Sequence, residues 1–210
     1  MTALVVIAKE PVPGRVKTRL TPPCSPAGAA ALAAAALADT LAAVARTRRA
    51  GRRVLVLDGA PGPWVPRGFE VLPQRGDGLA ARLAAAFADV GGPAFLIGMD
   101  TPQVTPAQLD DGLRALDRAD AAFAPALDGG YWAIGLRKAD ARVFDGVPMS
   151  RDDTGAVQRA RLAILGLRTA ILPPLRDVDT IEDARAVARE APDGRFAALL
   201  DDIEPEAVAA

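Results

Sequence analysis

Ala3-Leu4-Val5-Val6-Ile7-Ala8 runs directly into Lys9-Glu10-Pro11-Val12-Pro13-Gly14-Arg15-Val16-Lys17-Thr18-Arg19, and this junction decides the fold. Six apolar residues without alternation describe a strand covered on both faces, as in a mostly parallel sheet. The segment after it is proline-rich and basic, and it leads into an Ala/Leu-rich helix from about Pro26 to Arg46. RVLVLD ends at Asp58 and is followed by a turn marked by Pro61, Gly62, Pro63 and Pro66. FEVLP is a short third strand, LAARLAAAFADV a helix, and PAFLIGMD a fourth strand ending at Asp100.

Thr105, Pro106 and Gln108 spell a helix start: an N-cap, proline at the first position and a capping-box partner at the third. DAAFAPA and YWAIGLR are the fifth and sixth strands, joined through Asp128-Gly129-Gly130. A helix follows from about Asp153 to Leu167, then the strand RTAILP, and a closing helix capped by Thr180 with Asp183. Strands alternating with helices predict βαβ units in a three-layer α/β/α sandwich. One domain is expected over residues 1–200, with 201–210 as a frayed tail.

Half of the 210 residues are hydrophobic, 24% are charged, and the formal net charge is −1. That balance belongs to a globular chain, not to one that grips nucleic acid or a membrane surface. No apolar run is read as approaching the ~20 residues of a membrane span. Lys9 and Glu10 interrupt the early apolar stretch, so no signal peptide is expected and the cytoplasm is the expected location.

Two absences narrow the chemistry. There is no histidine, which excludes serine–histidine and cysteine–histidine catalysis and any zinc site built on imidazole. Cys24 is the only cysteine, so neither an internal disulfide nor a thiolate cluster can form. A metal must therefore sit on oxygen ligands, which suits Mg²⁺ or Mn²⁺.

Ligands of open α/β sheets bind beyond the carboxyl ends of the strands. There, after the first strand, lie Lys9, Arg15, Lys17 and Arg19, with Gly14 permitting close backbone approach; the set suits phosphate oxygens. Lysine occurs only at 9, 17 and 138, so two of the three lie in this loop. Neither the dinucleotide glycine fingerprint nor a Walker loop is present. Asp100, at the tip of a buried strand beside Gly98, is the expected metal ligand, because Thr105 already caps the next helix. RDVDTIED offers a second, with one of Asp177 and Asp179 expected to face the site and Asp177 ahead. Arg75, Asp77 and Arg82 in QRGDGLAAR are candidates for the base or sugar. Asp128, Gly129, Gly130 and Ser150 are candidates for the second substrate, and Asp128, Asp152 and Asp153 are each candidate general bases.

AKEPVPGRVKTRL, IGMDTP, PALDGGYWAIGL and DVDTIED, in this order, resemble a bacterial family of glycosyltransferase-like proteins. That family lies within the nucleotide-diphospho-sugar transferase superfamily, and some members are named for selenium- or arsenosugar-associated gene clusters. The likeness runs from residue 3 to about 190. It implies the GT-A type of fold, with a mixed, mostly parallel sheet of about seven strands. It also implies that Lys9, Arg15, Lys17 and Arg19 form the nucleotide-phosphate loop and that Asp100 is the metal-binding aspartate. Met149-Ser150-Arg151 stands where members often carry Trp-Ser-Thr, so a different acceptor is expected. A fainter likeness extends to guanylyltransferases acting on phosphoenolpyruvate or phospholactate.

Two catalytic readings follow. One is nucleotidyl transfer from a nucleoside triphosphate to a small anionic acceptor with release of pyrophosphate, Lys17 and Asp100 being the catalytic residues. The other is glycosyl transfer from a nucleotide sugar, against which Pro102 counts, since it replaces the second acid of an Asp-x-Asp pair. A non-catalytic nucleotide-binding module is the third reading.

Overall fold

The computed structural model describes residues 1–208. Its core is a seven-stranded sheet made of β1 (Ala3–Lys9), β2 (Arg52–Asp58), β3 (Glu70–Pro73), β4 (Ala94–Ile97), β5 (Ala121–Pro125), β6 (Tyr131–Leu136) and β7 (Thr169–Ile171). The strand order is β3-β2-β1-β4-β6-β5-β7. β6 runs antiparallel to both of its neighbours, while the other pairings are parallel. This is the expected mixed, mostly parallel α/β sheet with flanking helices.

The helices are α1 (Pro26–Arg46), α2 (Gly78–Val90), α3 (Pro106–Ala115), α4 (Thr154–Ile164), α5 (Ile181–Glu190) and α6 (Arg195–Val208). The local start signals are obeyed. Ser25 Oγ accepts from Gly28 N–H at 3.0 Å, and Thr105–Gln108 and Thr180–Asp183 both close capping boxes. α6 is an element the sequence reading did not contain; it continues the chain as helix through residue 208.

β1 explains its own unbroken hydrophobicity. Leu4, Val6 and Ala8 enter the core shared with α1 and α3, whereas Ala3 and Val5 enter the one shared with α2 and α4. Both faces are covered, so no position tolerates a polar residue until Lys9, the exposed last residue of the strand.

α1 shows what its alanine runs are for. One side, with Leu37, Leu41 and Val44, packs on the sheet. The other, with Ala29, Leu32 and Ala36, packs against Ile181, Val187, Phe196 and Leu200 of α5 and α6. A helix enclosed on two sides must be apolar nearly all round, and small side chains let its neighbours approach. Composition alone would let α1 cross a membrane: its 21 residues have a hydropathy of 1.7 over an 18-residue window, 61% of which is buried here. This corrects the expectation that no apolar stretch approaches span length; alanine had been read only as a helix former.

Candidate active site

Because six strands point one way, the loops after β1, β4, β5 and β7 gather at one edge of the sheet. The reversed β6 begins there, at Tyr131. Between them lies a cleft of about 960 Å³. Lys9, Arg15, Lys17 and Arg19 line one side of it, Asp100 and Asp177 its floor, and Asp128, Gly130 and Ser150 the other side.

Lys17 is the pivot. Its loop is anchored by the buried Val16 and Leu20; of the three residues between them Thr18 and Arg19 are exposed, and Lys17 turns inward. Its backbone adopts the left-handed conformation at φ 49°, and its side chain is only 8% exposed. The ammonium lies 2.6 Å from Asp100 Oδ1 and 3.7 Å from Asp179 Oδ1, and it donates to the carbonyl of Val178. Arg19 donates to Asp179 Oδ2 at 2.9 Å. Lys9 and Arg15 make no ion pair among the described residues and stay exposed at the cleft wall.

Both Asp177 and Asp179 line the cleft. The expectation that only one would do so was wrong: residues two apart in an extended segment share a side, and it is Val178 between them that turns into the core. Asp177 is the more unusual of the two. Its Oδ1 is buried with no hydrogen-bond partner. Burial first, then the nearby charges of Asp100 and Asp128, push its pKa up to about 8 against the opposing pull of Lys17.

The sign of that shift gives a prediction. The native state keeps a proton that the unfolded chain sheds near its ordinary value of 3.8, so stability of the free protein falls as pH rises from there to about 8. Thermal melts across this range should show the decline in the parent chain and a flatter profile in Asp177→Asn. Equal slopes would refute the assignment.

The far wall is built by backbone contact. Gly155 N–H donates to the Gly129 carbonyl at 2.8 Å. A Cβ on Gly129 would lie 1.9 Å from the Asp152 carbonyl oxygen, and one on Gly155 would lie 2.5 Å from that of Gly130. Only glycine lets these two loops touch, and their contact sets Asp128 and Asp152 on the same wall. Asp128 Oδ1 accepts from Gly130 N–H at 2.8 Å. Neither carboxylate has an ion-pair partner among the described residues, whereas Arg151 is tied to Asp153 by contacts of 3.0 and 3.1 Å. Ser150, at φ 61°, is the other non-glycine residue of positive φ and also lines the cleft.

Other candidates are placed elsewhere. Arg75 pairs with Asp89 of α2, Asp77 stands at the start of α2 outside the cleft lining, and Gly14 sits in a turn beside a small separate hollow. Arg82 does enter the cleft, donating to Asp58 Oδ2 at 2.7 Å and Gln74 Oε1 at 3.1 Å. Gln74 and Tyr131, which lie in the candidate segments QRGDGLAAR and Asp128–Tyr131, line the cleft; Thr101 and Trp132 also line it and were not legible, since nothing in their own sequence context separates them from ordinary strand and loop positions.

Among the described residues no three acidic or cysteine side chains converge to cage a metal by themselves. A hard cation that keeps waters and takes its remaining ligands from substrate phosphates needs only one or two carboxylates. Asp100 and the orphaned Asp177 oxygen fit that donor set.

This fold and cleft define a class, the nucleotide-diphospho-sugar transferase type of α/β protein. Within it, the chain belongs to the family described as an uncharacterized protein conserved in bacteria (DUF2064), whose profile matches residues 29–151. Among solved structures, the chain is similar to a candidate nucleotide-diphospho-sugar transferase of Desulfovibrio desulfuricans G20. That match has 27% identity and a TM-score of 0.86, and it covers 100% of this chain and 98% of that one. It shares its fold with a CMP-2-keto-3-deoxy-manno-octonic acid synthetase solved with CTP (12% identity, TM-score 0.59, 92% of this chain and 100% of that one). It also shares it with the Rv0371c protein of Mycobacterium tuberculosis H37Rv, crystallised with manganese (23% identity, TM-score 0.51, 90% and 98% covered). No protein of curated function matches the chain.

Proposed function

We propose that the protein is a metal-dependent transferase that takes a nucleoside triphosphate and passes its nucleotidyl group to a small acceptor, releasing pyrophosphate. One observation carries this reading: the Lys17 ammonium and the Asp100 carboxylate, 2.6 Å apart, share one cleft with the unpaired cations Lys9 and Arg15. Asp100 and Asp177 would hold Mg²⁺ or Mn²⁺, which supplies charge neutralisation on phosphate oxygens. Lys9 and Arg15 bind and orient the polyphosphate tail, and Lys17 stabilises the charge that grows on the leaving oxygens. The acceptor oxygen attacks the α-phosphorus, the bond to pyrophosphate breaks, and the acceptor's proton passes to the carboxylates of the far wall, Asp128 and Asp152.

The free charges of the cleft are segregated. Cations stand on the wall formed by the loop after β1, and unpaired carboxylates stand on the wall formed by Asp128 and Asp152. An acceptor carrying a neutral hydroxyl or an amine meets less repulsion there than a strongly anionic one, so this proposal departs from the small anionic acceptor expected from sequence.

The likeness to a candidate nucleotide-diphospho-sugar transferase supports a second reading, in which a nucleotide sugar is the donor and a nucleoside diphosphate leaves. One assay separates them. The protein is incubated with Mg²⁺, nucleoside triphosphates or nucleotide sugars, and pools of hydroxyl and amine acceptors. Pyrophosphate release is the expected result. Nucleoside diphosphate release from the sugar donors alone would establish the second reading and discard the first.

A further inference from the structure

In the free protein the place of a cation is already taken. The Lys17 ammonium donates to the carbonyl of Val178 and is ion-paired with Asp100 at 2.6 Å and, more loosely, with Asp179 at 3.7 Å. The side chain is 8% exposed, so water does little to satisfy it. Val16 just before it is buried in the core and its own φ is left-handed, and from this backbone the ammonium reaches inward to Asp100. Asp177 Oδ1 stays buried without a hydrogen-bond partner, so Lys17 pairs with Asp100 and not with it.

We infer that Lys17 acts as a resident counter-ion, so that the cleft admits its divalent cation only together with a polyphosphate, as a metal–polyphosphate chelate. The inference rests on the function proposed above and adds the form in which the ligand must arrive. A free cation approaching Asp100 meets a carboxylate whose Oδ1 already accepts from an ammonium, and the like charge of that ammonium opposes its entry. A polyphosphate changes the balance: its oxygens offer Lys17 a full set of acceptors, the ammonium exchanges carboxylate for phosphate, and Asp100 is released to join Asp177. Asp179 is not released with it, because Arg19 holds its other oxygen at 2.9 Å. Metal and polyphosphate therefore strengthen each other's binding, and by linkage the coupling is the same in both directions.

The test is Mn²⁺ binding to the metal-free full chain by equilibrium dialysis, with and without inorganic triphosphate at equal free Mn²⁺. The parent chain should bind Mn²⁺ alone weakly and at least tenfold more tightly with triphosphate. Lys17→Met should bind Mn²⁺ alone at least tenfold more tightly than the parent, and the gain from triphosphate should be smaller than in the parent. Parent binding that is equally tight with and without triphosphate overturns the inference, and this measurement needs no variant to fold. Lys17→Met affinity within twofold of the parent, in a variant whose thermal melt is intact, also overturns it. If Mn²⁺ binds, is lost in Asp177→Asn, and ignores Lys17, the counter-ion role fails and the metal site stands. If no Mn²⁺ binds under any condition, the metal site itself fails and the inference with it.

Discussion

Asp100→Asn should lower transferase turnover by at least about a thousandfold, a loss typical of removing a charge that acts on the transition state. The melting temperature should move by only a few degrees. Asparagine keeps the shape of the side chain, and the structural bond of this residue is a backbone one, its carbonyl accepting from Val178 N–H at 3.0 Å. The stability cost is the lost Lys17 pair. Asp100 is 40% exposed, and although Lys17 is only 8% exposed it keeps the Val178 carbonyl and the asparagine oxygen as acceptors, so that cost is about 1 kcal/mol. Steady-state rates with a thermal melt of the same preparation check both halves. Turnover within tenfold of the parent would remove Asp100 from the chemistry.

The second large effect is expected at Gly129. Alanine there must hold φ +90° and place its Cβ 1.9 Å from a backbone oxygen of Asp152, so the two loops of the far wall have to part. Left-handed strain and the backbone clash together should cost about 3 kcal/mol or more, and Asp128 and Asp152 lose their common setting. Gly14→Ala is the matched control. Its φ is +75° but nothing lies within 4 Å of the added methyl, so only the strain of about 1–2 kcal/mol remains. Urea unfolding of both variants should separate them clearly. Equal destabilisation would mean that the loop contact is not what requires glycine at 129.

The sheet and five of its helices were legible because their signals are local. Unbroken apolar runs, a serine or threonine three residues before its partner, and proline at a first helical position each act within one turn of chain. What stayed hidden depends on partners distant in sequence. Alanine in α1 reads as helix propensity until α5 and α6 are seen on its outer face. α6 itself lies in an acidic, alanine-rich stretch whose hydrophobic residues, Phe196 and Leu200, make sense only against Leu32 and Val187. Arg75 reads as a ligand until Asp89 is found opposite it, and Arg82 cannot be told from it without Asp58. Position within the basic loop was legible, but the inward aim of Lys17 was not, since it depends on which neighbours the core accepts.

The reversal of β6 has a consequence for how the molecule can be re-engineered. Residues proposed to grip the polyphosphate are carried by the parallel half, at 9–19 and 98–101, whereas the opposing wall arrives with the reversed strand, at 126–155. The two blocks meet across a gap instead of interleaving along it. Under the proposed function, 126–155 is therefore the natural cassette to exchange with a relative for redirecting transfer to another acceptor while the donor side is left alone.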